Sequence, residues 1–525
     1  MKRTISLVIA SAAVAMALVS CTKEITANNE GEKGFNADGT RTLTVSFASK
    51  STKTTLDEDG RTPVWAEGDQ ISLNGTAYDV PAAAIGTSSC TITTDIQGDI
   101  VAVYPAAAYQ STEPYFKVSD EQDGSFGCAN ICVAEAAAGV NTLTFQNVTA
   151  VFAVAVPSGT TKLTVTSLGK IDSTTGQRGT AAEDKAAINT TGEGDAAKVI
   201  TVEKSDKSEF GDSVYVAVAV DTENGVLLTD LNFDTGSAQG GISPNYIKSK
   251  GKDPLEYKAV AGYIYTPVLH EYVVVGGKKW ATMNVGATAL TGTGDYYMWG
   301  AVEKPYSSLS GKEFTFYSEK PSSYINNTWN ASKGFSSLNS QFTNNIDELS
   351  EYGYGKSDVL TKYSASNDGN SVSGTADGKT VLESKDDAAT YNWGSTWRMP
   401  SGGNASEFIA LYNATYWAWD ETDKGYYVYA PNPSTDAGKS KDGTGNYDKF
   451  DALLFFPAGG MGIDRNISHG GKAGVKLGGY WTRTLNSEKP FQAHHFNFAN
   501  DTGVNTDVTS SNARSMGFLI RPVSD

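Results

Sequence analysis

Residues 147–169 read NVTAVFAVAVPSGTTKLTVTSLG. Apolar residues alternate with small or polar ones in AVFAVAV and again in KLTVTSL, and Pro157-Ser158-Gly159 separates the two runs. A period of two puts alternate side chains on one face, so the stretch predicts two β-strands joined by a turn. The same pattern runs outward in both directions: TLTVSF (42–47), QISL (70–73), DIVAVYP (99–105), NTLTFQ (141–146), SVYVAVAV (213–220) and GVLLTDLNF (225–233). Gly, Asn, Asp and Pro punctuate these runs and no long stretch has a helical period. Short strands with such turns imply β-sandwiches, and residues 41–265 are long enough for two, with a join near residues 141–150.

Composition agrees with an ordered, mainly β protein. The chain has 525 residues, more than one core usually holds, so two or three domains are expected. Gly (54), Tyr (26) and Phe (20) are abundant, and the Ala/Leu/Glu/Lys bias of helical proteins is missing. A formal net charge of −17 offers no basic surface to release counterions from a phosphate backbone, which argues against nucleic acid as a partner.

The N-terminus reads as an export signal. Lys2 and Arg3 precede an apolar run, residues 5–18, that is short for a membrane span, and Leu18-Val19-Ser20-Cys21 follows. This resembles the lipobox of bacterial lipoproteins, which implies a signal peptide over residues 1–20 and lipidation of Cys21, with a membrane lipid anchor at the outer membrane and cell surface. Thr22-Lys23-Glu24 resembles the surface-export signal of Bacteroidetes lipoproteins. Residues 21–40, rich in Asn, Gly and Glu, read as a flexible tether. Cys90, Cys128 and Cys132 are the remaining cysteines; an odd number cannot complete a disulfide framework. Buried thiols or one local disulfide is the expected state, and no His lies near Cys128 and Cys132 to complete a metal site.

RTPVWAEGDQISL (61–73), followed by the DIVAVYPA strand, resembles the N-terminal region of the fimbrillin-like proteins of Bacteroidetes, and residues 147–169 with YVAVAV and GVLLTDLNF resemble their second domain. Trp65, Gly68 and Asp69 match the family motif, and a Gly-Asp turn that folds Trp65 onto the next strand makes them structural residues. The resemblance implies two transthyretin-like sandwiches, residues 41–146 and 147–265. It also implies assembly with other fimbrial subunits by strand exchange after proteolysis, with Arg41, just before the first strand, as the candidate processing position and Arg61 as a second. The other reading is that no cleavage occurs and these domains only hold the rest of the chain away from the membrane.

From about residue 267 the pattern changes. Eight of the nine tryptophans fall here. Residues 385–390 fit a short helix, and Asn404-Ala405-Ser406-Glu407 reads as a capping box with Asn404 as N-cap and Glu407 at N3. Residues 364–379 and 431–446 read as surface loops. KKWATMNVGAT (278–288), DYYMWG (295–300), DDAATYNWGSTWRMPSGGNASEF (386–408), LLFFPAGG (453–460), GGYWTRT (478–484) and GFLIRPV (517–523) are similar, in order, to the Fibrobacter succinogenes major paralogous domain. That resemblance implies an α+β C-type-lectin-like domain over residues 266–525, with Trp397, Arg398, Pro400, Trp481 and Arg521 as motif residues. The domain lacks cysteine and the calcium-binding Glu-Pro-Asn and Trp-Asn-Asp signatures, so calcium-dependent sugar chelation is not implied. In Trp397-Arg398-Met399-Pro400, Trp397 and Met399 should point one way along a short strand and Arg398 the other, as a paired structural charge, before Pro400 ends the strand.

No catalytic motif emerges: there is no H-E-x-x-H, G-x-S-x-G, phosphate loop or dinucleotide fingerprint, and Gly438-Lys439-Ser440 lacks the upstream glycine of a phosphate loop. His494 and His495 are adjacent, so on a strand they point to opposite faces, one packed and one exposed, and a shared metal is not expected. No cofactor and no metal are expected. The aromatic pair of strands YWAWD (416–420) and GYYVY (425–429) is the functional lead. Trp417 and Trp419 share one face and Tyr427 and Tyr429 share one, and rings left at the rim can stack on sugars beside carboxylates. Trp417, Asp420 and Tyr427 are the candidate ligand-binding residues; the same rings equally fill a core. Two functions fit: a fimbrial tip or minor subunit acting as an adhesin for glycan or host matrix protein, or a glycan-capturing lipoprotein of a polysaccharide-utilisation system. An enzyme with an unrecognised carboxylate pair has no motif to support it.

Overall fold

A computed structural model describes residues 34–48, 55–56, 63–113, 115–168, 199–220, 226–302, 363, 377–431, 448–463, 466–468, 474–489, 492–514 and 516–525. Cys21, Arg61, Trp329, Gly438-Lys439-Ser440 and most of both expected insertions lie outside the described residues. The chain is mainly β, 41% strand against 12% helix, as the period-two pattern requires. Among the described residues no helix is long and apolar enough to cross a membrane.

The chain divides into two compact units. Unit 1 comprises Met1–Ala153, Ala187–Gly225 and Ala259–Tyr265, and unit 2 comprises Val154–Ala186, Val226–Lys258 and Thr266–Asp525. Unit 1 contains a seven-stranded sheet built from β1 (Arg41–Phe47), β2 (Gln70–Leu73), β3 (Thr76–Asp79), β4 (Ser89–Thr94), β5 (Ile100–Tyr104), β6 (Cys132–Ala136) and β7 (Thr142–Asn147). The spatial order is β3-β2-β5-β6-β7-β1-β4. β1 runs parallel to β7 and antiparallel to β4, and its Leu43, Val45 and Phe47 point into the core while Thr42 and Thr44 face out. Trp65 is buried against Phe47 (ring centroids 4.4 Å) and Tyr104 (5.5 Å). The turn before β2 places it there: Gly68 takes φ +86°, and Asp69 accepts from the backbone N–H of Ala66 at 2.7 Å and from the Tyr104 hydroxyl at 2.9 Å.

Arg41 corrects the sequence reading. It is the first residue of β1, opposite Thr94, rather than a residue before the strand. Its side chain is fully buried, donating to the carbonyls of Gly98 (2.9 Å), Ala137 (2.8 Å) and Val140 (2.5 Å). These carbonyls satisfy the guanidinium, which explains why a charged residue is tolerated in the interior. The three thiols are free: Cys90 and Cys132 are buried, and the exposed Cys128 donates to Asp123 at 3.2 Å.

Unit 2 is built from β8 (Lys162–Ser167), β9 (Leu231–Asp234), β10 (Ala238–Gly241), β11 (Val268–Val275), β12 (Lys278–Ala281), β13 (Tyr416–Asp420), β14 (Gly425–Tyr429), β15 (Leu454–Pro457), β16 (Leu477–Leu485), β17 (Gln492–Ala499) and β18 (Val523–Ser524). Its helices are α1 (Pro244–Ser249), α2 (Ala388–Trp393) and α3 (Glu407–Ala414). β8, β9, β10, β11, β12 and β18 form one continuous antiparallel ladder. At the β10–β11 pairing, where Gly241 faces Val268, the ladder joins strands from both sides of residue 266. The run 225–233 is strand only from Leu231, because Leu228–Asp230 forms a 3-10 turn.

The WRMP stretch pairs with the C-terminal segment by a single bridge, the Arg398 N–H donating to Val523 O at 3.0 Å and the Val523 N–H to Arg398 O at 2.9 Å. Trp397 and Met399 are buried in one core with Trp481, while Arg398 projects the other way. The capping box is not formed. Ser406 is the N-cap of α3, accepting from the Ile409 N–H at 3.3 Å, Glu407 is the first helical residue, and Asn404 lies in the 3-10 turn Gly403–Ala405. The Glu407 carboxylate is held instead by Arg398 and by the Ser401 N–H at 2.8 Å, so it cannot turn back onto a cap. α2 spans Ala388–Trp393 rather than residues 385–390 because Asp387 caps it, accepting from the Ala389, Thr390 and Met399 N–H groups.

Candidate functional site

β13 and β14 pair as a hairpin with Trp417 opposite Val428 and Ala418 opposite Tyr427, and β15 adds a third strand with Phe455 opposite Tyr427. The connecting turn is written in the sequence. Asp420 accepts from the N–H groups of Thr422 (2.8 Å) and Asp423 (2.7 Å), and Lys424 takes φ +55°. Gly425 then opens β14 where no side chain fits: a Cβ there would lie 2.4 Å from both Phe455 Cζ and Phe456 O.

The strand alternation sorts the rings onto two faces. The inner face carries Trp417, Tyr426, Val428, Leu454 and Phe456 into a core with Phe496 and Phe498. Trp417 is 1% exposed, stacks on Phe456 at 4.9 Å, and donates its indole N–H to the Thr415 hydroxyl at 3.0 Å. The candidate ligand role of Trp417 is therefore corrected: both ring faces are enclosed, so it serves the core. Trp419 shares that face and packs against the same core from its edge.

The outer face carries Tyr416, Ala418 and Asp420 on β13, Tyr427 and Tyr429 on β14, and Phe455 on β15. Tyr429 and Phe455 are buried, and Tyr416, Ala418, Asp420 and Tyr427 are half-buried. The Tyr427 ring packs against Phe455 at 4.5 Å and donates its hydroxyl to Asp423 at 2.6 Å. The Lys449 ammonium lies 3.5 Å from the same carboxylate oxygen. Burial and the bonded Asp423 carboxylate hold the Tyr427 phenol well above its usual range, so it stays a hydrogen-bond donor. Burial and the Asp420, Asp448 and Asp451 carboxylates push Tyr429 up to about 12. Beside Lys449, Phe450 is 87% exposed.

This arrangement combines a ring at the rim, a carboxylate acceptor and an ammonium donor within one small area, groups able to stack on an apolar ligand face and to exchange hydrogen bonds with hydroxyls. Asp420 and Tyr427 are brought together here, while Trp417 is turned away. Asp423, Lys449 and Phe450 escaped the sequence reading. The spacing of Asp420 and Asp423 in DETDKG marks a turn but not the Tyr427 contact, and Lys449-Phe450 carries no local signal that places it against that turn. Arg521 anchors this sheet from behind: fully buried, it donates to Phe455 O at 2.6 Å, to Asn284 at 2.7 Å and to the Ala281 carbonyl at 2.9 Å. Burial pulls its pKa down to about 10.

The histidine pair resolves into a packed ring and an edge ring. His495 stacks on Phe518 (5.0 Å) and His494 approaches Ser510 O at 3.2 Å. Among the described residues no group of three His, Cys, Asp or Glu is placed to hold a metal ion.

No known family profile matches the chain, and no curated protein matches it. Solved structures give distant similarities. A candidate cell adhesion protein of Bacteroides uniformis is 13% identical, with a TM-score of 0.24, over 45% of this chain and 100% of that one. A fimbrial protein of Bacteroides ovatus is 11% identical, with a TM-score of 0.18, over 92% of this chain and 98% of that one. A candidate cell adhesion protein of the same species is 14% identical, with a TM-score of 0.19, over 38% and 85%.

Proposed function

We propose that the chain is a lipid-anchored cell-surface adhesin, a tip or minor subunit of a fimbria, that binds glycan through unit 2, and that it is a binding protein rather than an enzyme. The observation that carries this reading is the outer face of β13–β15, where Tyr427, Asp423 and Lys449 meet beside the exposed Phe450. Lipidation at Cys21 and the two-sandwich organisation of residues 41–146 and 147–265 rest on the sequence motifs. Strand exchange with other subunits belongs to the same reading; a cut after Arg41 would remove only the first residue of β1 and leave Thr42–Phe47 in the chain.

A glycan array probed with the full chain tests it. The whole chain is needed because a fragment starting at residue 267 would remove β9, β10 and α1 from unit 2, together with the Gln239 carbonyl that accepts from the Trp397 indole N–H at 3.2 Å. Binding to a sugar class, lost when Tyr427 is replaced, supports the adhesin reading. Binding only to a matrix protein redirects it to a protein ligand, and binding to neither removes it.

A further inference from the structure

α1 and the turn that follows it form a second surface of unit 2, remote in sequence from the hairpin. Ser243 caps α1 by accepting from the Tyr246 N–H at 3.2 Å, and Ile247 is buried beneath it. Gly251, at φ +69°, turns the chain after the helix, with its N–H donating to Lys248 O at 2.9 Å and the Lys252 N–H donating to Ile247 O at 3.3 Å. Over residues 246–258 four lysines (248, 250, 252, 258) stand against two carboxylates, Asp253 and Glu256, in a chain whose net charge is −17. This is a local reversal of sign.

The lysines are also placed against rings. Lys250 lies over Tyr246 (5.2 Å to the centroid), Lys252 over Tyr257 (5.8 Å) and Lys248 over Tyr391 on α2 (6.0 Å). With 59 carboxylates in the sequence against 42 basic residues, Lys250 and Lys252 nonetheless form no ion pair among the described residues. A ring restrains an ammonium without neutralising it, so its N–H donors stay available to an anion. Tyr246 is 42% exposed, which leaves ring surface open beside the Lys250 ammonium.

We infer that the α1 surface binds an anionic glycan, with Lys250 and Lys252 receiving the carboxylate or sulfate of an acidic sugar and the exposed part of Tyr246 meeting a sugar face. The shared chemistry is one anionic group on a carbohydrate ring. The two ammoniums supply donors for that anionic group, and the exposed part of Tyr246 supplies the apolar face on which a sugar ring stacks. This inference does not rest on the hairpin reading, and substitution of Asp423 or Tyr427 leaves the α1 surface intact.

The test immobilises polygalacturonate, dextran sulfate and neutral dextran and measures binding of the full chain at low and high salt. Expected is binding to at least one charged polymer and not to dextran, weakened by salt. K250E/K252E should lower the affinity about tenfold or more at unchanged Tm. K162E/K207E, which makes the same change in net charge at two exposed lysines elsewhere, should leave it unchanged. If K250E/K252E folds poorly, K250Q/K252Q supplies the same comparison. Absence of binding to both charged polymers at low salt, equal binding to dextran, or equal loss in both double variants overturns the inference.

Discussion

The Arg398 guanidinium grips the Glu407 carboxylate with two parallel hydrogen bonds, Nη1 to Oε2 at 2.7 Å and Nη2 to Oε1 at 2.8 Å. The pair joins the residue that bridges to Val523 with the first residue of α3, and Arg398 Nη2 also donates to the Asp525 side chain at 2.8 Å. One arginine thus fixes the strand-to-helix turn and the C-terminal segment together. Their side chains are only 17% and 13% exposed, so the pair is shielded from solvent more than a surface salt bridge. Arg398→Ala should destabilise unit 2 by roughly 2–3 kcal/mol, because it removes the two-bond grip on Glu407 and leaves that carboxylate only the Ser401 N–H and, at 3.7 Å, the Lys278 ammonium. Arg398→Lys should recover only part of that, since a lysine cannot make the fork. Chemical denaturation of the three proteins checks the order.

In unit 1 the corresponding test is Asp69. Asp69→Ala removes the acceptor for both the Ala66 N–H and the Tyr104 hydroxyl and should cost about 1–3 kcal/mol. Tyr104→Phe, which removes one of these bonds and keeps the ring against Trp65, should cost about 1 kcal/mol. A larger effect from Tyr104→Phe than from Asp69→Ala would mean that the turn does not depend on Asp69.

Two histidines give unit 2 an acid limit. His270 lies flat on Trp393 (3.5 Å, 5° between planes), and burial pulls its pKa down to about 4. His495 is likewise lowered to about 4, by burial and by the neighbouring His494. An unfolded histidine takes up its proton near 6.5, above the folded value, so the unfolded state binds more protons between these pH values. Stability should be constant above about pH 6.5 and fall as pH drops toward 4, by at most roughly 3 kcal/mol per ring. His495→Leu should flatten part of this loss. A Tm that is constant from pH 7 to about 4 would contradict the burial of both rings.

Arg41 should resist trypsin in the folded chain, since its side chain is enclosed and its backbone is paired in β1. Limited digestion followed by N-terminal sequencing should yield no chain beginning at Thr42 until unit 1 is unfolded. Rapid native cleavage at that bond would show that the start of β1 frays.

Much of the fold was legible because period-two alternation is a local property: residues 42–47, 142–147 and 162–167 fall on strands with the predicted side-chain alternation. Opposed faces in WRMP were legible for the same reason. The capping box failed because Glu407 has a stronger partner nine residues earlier, a tertiary preference that no four-residue pattern contains. The faces of β13 were sorted correctly, but alternation does not say which face meets the core; the packing of Phe456, Phe496 and Phe498 decides that, and it buries Trp417. Asp423 and Lys449 lie 26 positions apart in sequence, and nothing in either segment announces their meeting.

The binding role of the β13–β15 face is tested most directly by measuring glycan affinity of the full chain and of Tyr427→Ala, Asp423→Ala and Trp417→Phe, with Tm recorded for each. The binding face predicts that Tyr427→Ala and Asp423→Ala each weaken binding about tenfold or more while Tm changes little, since both groups lie at the rim. Trp417→Phe should lower Tm and leave affinity of the folded fraction unchanged. Unchanged affinity in both rim variants, or loss in Trp417→Phe alone, would contradict the assignment of this face as the binding site.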